Sequence, residues 1–463
     1  MERWIRELID REKAKRGVPL EVKPSGNNYY LYQVTSVWDK EAKKRRKISR
    51  YIGKVNQDGL VKENRRTIYE YGNSKLLHLI VKEIEQALRK SFPDHYQEIM
   101  AISMIRNVAP TPIKLMKARW EKLFTSTEMD AHLSPNSVSA MLRSIGSDYD
   151  AQRRFFASMI RGSKYLIFDM SSIFSRSENI RMADKGYNKN RLQTRQIGMV
   201  MFFSHEKRMP VILKPVPGSL RDPKTFLTAA REYSIKRCVV IADRGSSPGT
   251  FIKMGMDFIV PLKDNSRMID YSLGIEKSFP YNGRGINSSR KRIGDLILYM
   301  FEDTMLRYEE ESNFISMISK GKRSQNSIES MRSGFGKIPI LSTLDVDPED
   351  LYTMYKTRED VEQAFDAMKN ELEEDKTYLQ DDDSVRGYFF TIFTALYVHY
   401  RILNILKDEG INGKMSVKEV LLELSRVYAI EKGGRKTLSE IPKRAEEIEN
   451  LLGIKLFPKI PRS

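Results

Sequence analysis

Residues 165–169 read Tyr165-Leu-Ile-Phe-Asp169, and residues 238–243 read Cys238-Val-Val-Ile-Ala-Asp243. Each is a short apolar run that closes on a carboxylate. Runs of this length between polar stretches fit buried strands. In open α/β sheets, ligands gather beyond the carboxyl ends of the strands, where side chains converge without disturbing the core. An Asp behind a single strand is most often a turn former. Two of them, on strands expected to be neighbours, make a candidate site for a hard cation such as Mg²⁺.

The sequence around these runs continues the pattern. Ile197 to Phe203 and Val211 to Lys214 read as two further strands, joined through His205-Glu-Lys-Arg-Met-Pro210. Asp222-Pro223 opens a helix to about Tyr233, another helix starts near Pro248, and Phe258-Ile-Val-Pro-Leu262 is a fifth strand. Three strands, a helix, a strand, a helix and a strand is the order of the RNase H-like fold. From Lys263 to about Lys337 the periodicity is lost among Gly-, Ser- and charge-rich stretches, with strand candidates such as Leu296 to Phe301. This reads as an insertion with some β-structure and a mobile loop. Ile338 to Leu344 resumes a strand. At the other end of the chain, Tyr29 to Val34 and Arg45 to Gly53 read as a β-hairpin with a basic, aromatic edge. The stretch from about Ser74 to Gly162 is helical, with Ser134-Pro135 as one helix start.

The expected fold class is therefore α/β, an RNase H-like core with a partly β insertion, preceded by a β-hairpin and a helical DNA-binding region. The expected divisions are 1–60 (hairpin region), 61–162 (helical region), 163–263 (first part of the core), 264–337 (insertion) and 338–463 (completion of the core and C-terminal helices).

Composition narrows the partners. Of 463 residues, 79 are Lys or Arg and 61 are Asp or Glu, a formal net charge of +18. Such a basic chain points to a polyanion, most often nucleic acid. Cys238 is the only cysteine, which excludes a disulfide framework and a cysteine-based zinc site and fits a reducing cytosol. The first residues, Met1-Glu-Arg-Trp-Ile-Arg-Glu-Leu, lack the apolar core of a signal peptide, so we expect a cytoplasmic protein. Tyr388 to Leu406 is the most apolar stretch, but Thr391, Thr394, His399, Tyr400 and Arg401 fit a buried amphipathic helix better than a membrane span. The five histidines, His78, His95, His132, His205 and His399, show no metal-ligand spacing. Gly245 to Gly249 lacks the Lys-Ser/Thr of a phosphate-binding loop.

A third acid comes from the helix that Asp347-Pro348 opens. Tyr355, Arg358, Glu362 and Lys369 fall at roughly 0°, 300°, 340° and 320° around it. Val361, Phe365, Met368 and Leu372 form an adjoining apolar stripe. One flank buries, and the next presents a ring, a guanidinium, a carboxylate and an ammonium. Taken alone, such a face is an ordinary solvated one with ion pairs. Glu359 and Asp360, at roughly 40° and 140°, leave the shared face.

In Tyr355-Lys-Thr-Arg358-Glu-Asp-Val-Glu362-Gln-Ala-Phe-Asp-Ala-Met-Lys369 the Tyr-(2)-Arg-(3)-Glu-(6)-Lys spacing resembles the signature of DDE transposases of the insertion-sequence type-four group. Phe168-Asp169-Met-Ser-Ser-Ile-Phe and Ile241-Ala-Asp243-Arg-Gly245 resemble that family's two Asp segments. Gly186-Tyr-Asn-Lys189 and Pro217-Gly-Ser219 resemble the linking segments. The resemblance implies that Asp169, Asp243 and Glu362 are catalytic and hold two Mg²⁺ ions, with Mn²⁺ as substitute. It also implies that Arg358, Lys369 and Tyr355 contact the DNA. Some relatives cut through a DNA hairpin and hold a flipped base on an inserted aromatic, often Trp. Trp4, Trp38 and Trp120 all precede the core here, which leaves Tyr299, Phe301 or Met305 in the insertion as substitutes.

The expected function is thus metal-dependent cleavage at transposon ends and strand transfer into target DNA, by a homodimer or higher oligomer on double-stranded DNA in the prokaryotic nucleoid. A nuclease or resolvase that cuts without joining, and a non-catalytic DNA-binding descendant, are the alternatives. Binding that rests mainly on phosphate contacts should weaken steeply with salt, the log–log slope growing by about 0.9 per phosphate neutralised. Affinity measured between about 50 and 200 mM salt checks this, and a flat response would remove the electrostatic reading.

Overall fold

The computed structural model describes residues 3–26, 28–39, 44–57, 59–60, 67–175, 177, 179–185, 195–220, 228–229, 231–233, 235, 239–244, 247–324, 327–369, 379–432 and 435–458. The helix start at Asp222-Pro223, the Gly186-Tyr-Asn-Lys189 stretch, Cys238, Gly245 and Leu372 lie outside them. The chain forms two compact units, Met1–Tyr69 with Tyr428–Glu440, and Glu70–Val427 with Ile441–Ser463.

In the first unit, β1 (Leu20–Ser25), β2 (Asn28–Asp39), β3 (Lys44–Asn56) and β4 (Gly59–Leu60) form an antiparallel sheet in that order. The helix Arg3–Arg16 packs Ile5 and Leu8 against Leu20, Val22, Leu31 and Val55. The hairpin read from the sequence is thus the middle of a larger element. The helix and β1 escaped that reading because their apolar positions are few and interrupted by charge. β5 (Thr67–Glu70) pairs with the later hairpin Tyr428–Lys432 and Arg435–Leu438.

The second unit holds the large sheet. Its strands are β6 (Tyr165–Phe174), β7 (Asp184–Lys185), β8 (Arg195–Ser204), β9 (Met209–Pro217), β10 (Val239–Ile241), β11 (Phe258–Pro261), β12 (Lys277–Tyr281), β13 (Arg284–Ile293), β14 (Leu296–Asp303) and β15 (Lys337–Ser342). The first five long strands lie in the order β9-β8-β6-β10-β11. β6, β8 and β9 pair antiparallel, and β10 and β11 join parallel to β6. That is the RNase H-like arrangement. β15 pairs antiparallel with β11, and the meander β12-β13-β14 extends the sheet from β15. The insertion therefore prolongs the core sheet. It also contains a helix, Thr304–Ser319, that the sequence did not announce. Phe314 is its only buried side chain, so no apolar stripe marks it. Its start is fixed by Asp303, whose carboxylate accepts from the Met305 and Leu306 amides at 3.0 Å. Tyr299 and Phe301 are fully buried, and the Tyr299 hydroxyl lies 3.0 Å from the Leu344 and Val346 carbonyls. They are core residues and cannot serve as base-holding substitutes. Met305 is about half exposed.

The helices expected to stand apart as region 61–162 belong to the same compact unit and the same apolar core as the sheet. What joins them is the helix Asp382–Asp408. Its N-cap Asp381 accepts from the Ser384 amide at 2.7 Å, and Asp382 and Asp383 complement the positive end of the helix dipole. It is long and apolar enough to cross a membrane by length and composition, but 78% of its most apolar window is buried within the protein. Phe390 packs edge-on against Phe92 and Phe155, and Phe393 against Phe156. Ser103 bonds Thr394 at 2.6 Å, and the Asn107 amide bonds the Ala395 carbonyl at 2.9 Å.

Where this helix crosses Pro135–Ser147, two glycines let the backbones touch. A Cβ on Gly387 would lie 1.9 Å from the Leu142 carbonyl oxygen, and one on Gly146 would lie 1.7 Å from that of Asp383. Gly387→Ala should therefore force the helices apart and cost about 1–3 kcal/mol or more. Gly413→Ala, with open space around it, is the control. Urea denaturation of both variants checks this, and equal midpoints would rule out a tight crossing.

Candidate active site

The parallel register of β6 and β10 places two carboxylates side by side. Tyr165, Leu166 and Ile167 pair with Val239, Val240 and Ile241. Two residues further along each strand come Asp169 and Asp243. β10 ends at Ile241, so Asp243 lies just past it. β6 does not end at Asp169, as its apolar run suggested. It continues to Phe174 because β8 keeps pairing with it, Asp169 standing opposite Met201. Asp169 is thus the residue at which β6 loses its parallel neighbour and its side chains emerge from the core.

The helix opened by Asp347 delivers the remaining groups. The Asp347 carboxylate accepts from the Glu349 amide at 2.9 Å, and Pro348 occupies the first turn. The expected single helix is two, Pro348–Lys356 and Arg358–Ala367, which meet at Thr357. The Thr357 hydroxyl lies 2.8 Å from Nδ1 of His205, at the end of β8, and donates to the Thr353 carbonyl. Burial pulls the His205 pKa down despite nearby Glu206 and Asp360. Val361, Ala364, Phe365 and Met368 bury the inner flank, as the periodicity implied.

Arg358 points its guanidinium into the acids. It lies 3.3 Å from Asp243 Oδ1 and 3.0 Å from Glu362 Oε1. Burial lowers its pKa, but Asp243, Asp169, Tyr355 and Glu362 together raise it further. The structure therefore gathers Asp169, Asp243, Glu362, Arg358 and Tyr355 into one electrostatic neighbourhood. Lys369 joins from the helix end and reaches Ser171 Oγ, 2.5 Å away and two residues along β6 from Asp169. The rival acids are engaged elsewhere, Glu359 with Lys356 at 2.9 Å and Asp360 with Lys407 at 3.2 Å. Beside Asp243 a cleft of about 490 Å³ is lined by Arg244, Lys263, Asp264 and Asn265. Ser171, His205, Thr357 and Lys263 were not read from the sequence as parts of a site. Only Ser171 carried a signal, since i+2 on a strand shares the face of Asp169.

The carboxylates fit a hard divalent cation by chemistry. Among the described residues no three His, Cys, Asp or Glu side chains are grouped so as to hold a metal ion, and Arg358 stands between Asp243 and Glu362.

A family model described as the transposase DDE domain matches residues 162–398, 237 of the 463 residues. The chain belongs to this transposase family. Among solved structures, the piggyBac transposase synaptic complex with hairpin DNA is similar with a TM-score of 0.38 and 12% identity, over 82% of this chain and 76% of that one. That superposition is too loose to build on. No curated protein matches this transposase.

Burial pushes the Asp169 carboxyl up to about 6, with Asp243 and Glu362 adding to the rise and the Met170 amide and Arg358 opposing it. A carboxyl raised in the folded state favours its protonated form there. Its contribution to stability is fully present below pH about 4 and is lost as pH rises through about 6. In metal-free buffer at pH 8, Asp169→Asn should therefore stabilise the transposase by about 2–3 kcal/mol, a gain that vanishes near pH 4. Thermal denaturation across that range is the check. A variant no more stable at pH 8 would show that burial of Asp169 carries no cost.

Proposed function

We propose that this transposase cuts DNA at transposon ends and joins the freed ends to target DNA by a cut-and-paste route, with Asp169, Asp243 and Glu362 as its catalytic, metal-binding acids. The observation that carries the reading is one guanidinium between Asp243 and Glu362 at the end of the parallel strands, with Asp169 near enough for its carboxyl to respond to all three charges, in a chain of the DDE family. That family generally uses divalent metal ions. Two Mg²⁺ ions, or Mn²⁺ in their place, would activate the attacking oxygen and stabilise the leaving one.

The chain's own groups do the rest. Asp169, Asp243 and Glu362 would hold the ions through hard oxygens. Because burial holds Asp169 near pH 6, it becomes fully anionic only above neutrality, and cation binding would draw its proton off. Arg358 would leave the carboxylates for a phosphate, which its planar fork can clamp with two parallel bonds. Lys369, held at Ser171, would act as a point charge on a neighbouring phosphate, and Tyr355 would pack on the backbone. In the first step water attacks phosphorus, and the bond to the 3′ oxygen breaks to leave a 3′-hydroxyl. In the second, that hydroxyl attacks a target phosphorus, the bond from that phosphorus to the target's own 3′ oxygen breaks, and the departing oxygen takes up the proton that the attacking hydroxyl gives up. Two ends must be held together, so the working form is at least a dimer on double-stranded DNA, acting at the nucleoid in a prokaryotic cytoplasm.

Glu362→Gln tests the assignment. With Mn²⁺, the wild type should give cleaved products from uncut end DNA and joined products from precut end DNA. The variant should bind the same DNA while its rate falls by about a thousandfold or more. Equal activity would remove Glu362 from the mechanism. Cleavage by the wild type without joining would make the protein a nuclease.

A further inference from the structure

The first unit carries a feature that its own packing does not explain. β1 covers β2 only from Asn28 to Gln33, and β4 covers β3 only at Val55 and Asn56. Beyond Gln33 and Arg50, β2 and β3 continue as a ribbon of two strands, with Val34 opposite Ser49, Thr35 opposite Ile48, Ser36 opposite Lys47 and Trp38 opposite Arg45. Every described side chain from Thr35 to Trp38, and Arg45, Lys47, Ile48, Ser49 and Arg50, is exposed. Val37, Trp38 and Ile48 leave 51%, 58% and 48% of their surfaces in solvent. A lone two-stranded ribbon is marginal in water, and apolar side chains displayed on one mark a contact surface.

Its chemistry says what it contacts. Partners across an antiparallel ribbon share a face, so Trp38, Arg45 and Lys47 lie on one side, and Thr35, Ile48 and Arg50 on the other. In sequence, the two strands of the ribbon, residues 34–39 and 44–50, hold five cations against one acid. Lys47 pairs with Glu21 of β1 at 2.8 Å. Residues 1–69 hold 18 Lys and Arg against 9 Asp and Glu. That short segment supplies half of the net charge of +18.

We propose that this ribbon enters the major groove of duplex DNA. Val37 and Ile48, which share one face with Thr35, contact base edges and thymine methyls, and Arg45, Lys47 and Arg50 bind the bordering phosphates. A two-stranded ribbon fits a major groove about 12 Å wide and not a minor groove about 6 Å wide, and thymine methyls are displayed only in the former. Five residues at about 3.4 Å each span roughly 17 Å, the length of about five base pairs. The helices between Gly72 and Ile160 bury their apolar faces in the second unit's core. The ribbon is the base-reading element of this proposal. This assignment rests on the reading of the chain as a DNA-acting transposase and names the surface that first grips the DNA.

The test uses the full chain, a fluorescein-labelled 30-base-pair mixed-sequence duplex and no metal, with binding followed by anisotropy. Three competitor conditions separate the modes: the same duplex with glucosylated 5-hydroxymethylcytosine, which fills the major groove; netropsin, which fills the minor groove; and the single strand. Glucosylation should weaken wild-type binding about tenfold or more, while netropsin and the single strand have little effect. Arg45→Ala/Lys47→Ala should lower the salt slope by about two. Val37→Ala/Ile48→Ala should bind weakly and lose its sensitivity to glucosylation. All four side chains are exposed, so these variants leave the fold intact. Wild-type affinity in the variants, absence of wild-type binding, inhibition by netropsin alone, or preference for the single strand would each overturn the proposal. Ribbon-dependent binding without any Mn²⁺-dependent cleavage would instead leave the ribbon standing and remove the catalytic reading.

Discussion

The crossing of Pro135–Ser147 over Asp382–Asp408 sets the geometry of the second unit. With glycine at both contact points, the two backbones approach more closely than any side chain would allow. The long helix is then gripped from several sides. Phe390 and Phe393 meet the phenylalanines of neighbouring helices, and Ser103 and Asn107 bond its turns. A segment apolar enough for a membrane is soluble here because the protein itself supplies the apolar surroundings. The same packing explains why the preceding helices form no body of their own: their apolar faces are used on this helix.

On the far side of that scaffold the sheet creates a problem of like charge. Parallel pairing brings Asp169 and Asp243 to equivalent positions, and the helix after Thr357 adds Glu362. Desolvation raises the first of these to about 6, and its two neighbours raise it further. Arg358 offsets the crowding by lying between two of the three acids. The guanidinium is itself half-buried and is held by the charges that it neutralises. The arrangement is not closed, because among the described residues the buried Arg358 Nε finds no hydrogen-bond partner.

Much of this was legible in the sequence because it rests on local pattern. Apolar runs ending in Asp gave the strand order and two acids, and the helical face of Tyr355, Arg358 and Glu362 gave the third with its arginine. The Asp347 cap and Pro348 placed the helix start. What escaped depends on partners distant in sequence. Nothing local says that β6 runs on past Asp169, since β8 decides it. His205 is unremarkable until Thr357 folds against it, and the break at Thr357 is invisible to a helical wheel. Thr304–Ser319 escaped for the opposite reason, since a helix that buries one residue has no periodic signature. The ribbon of β2 and β3 was visible as strands, but its isolation beyond Gln33 shows only in the pairing.

The third acid lies 119 residues beyond the second, on the far side of the insertion, and the helix that closes the core lies later still. Strand pairing over such separations is slow to form and waits for distant sequence. A chain emerging from the ribosome therefore displays its basic N-terminal surface long before its third carboxylate exists. During translation the chain carries that basic surface without the acids that later surround Arg358. A product that ends anywhere after Tyr69 and before Glu362 keeps the 18 Lys and Arg of residues 1–69 but never assembles the full set of charges around Arg358.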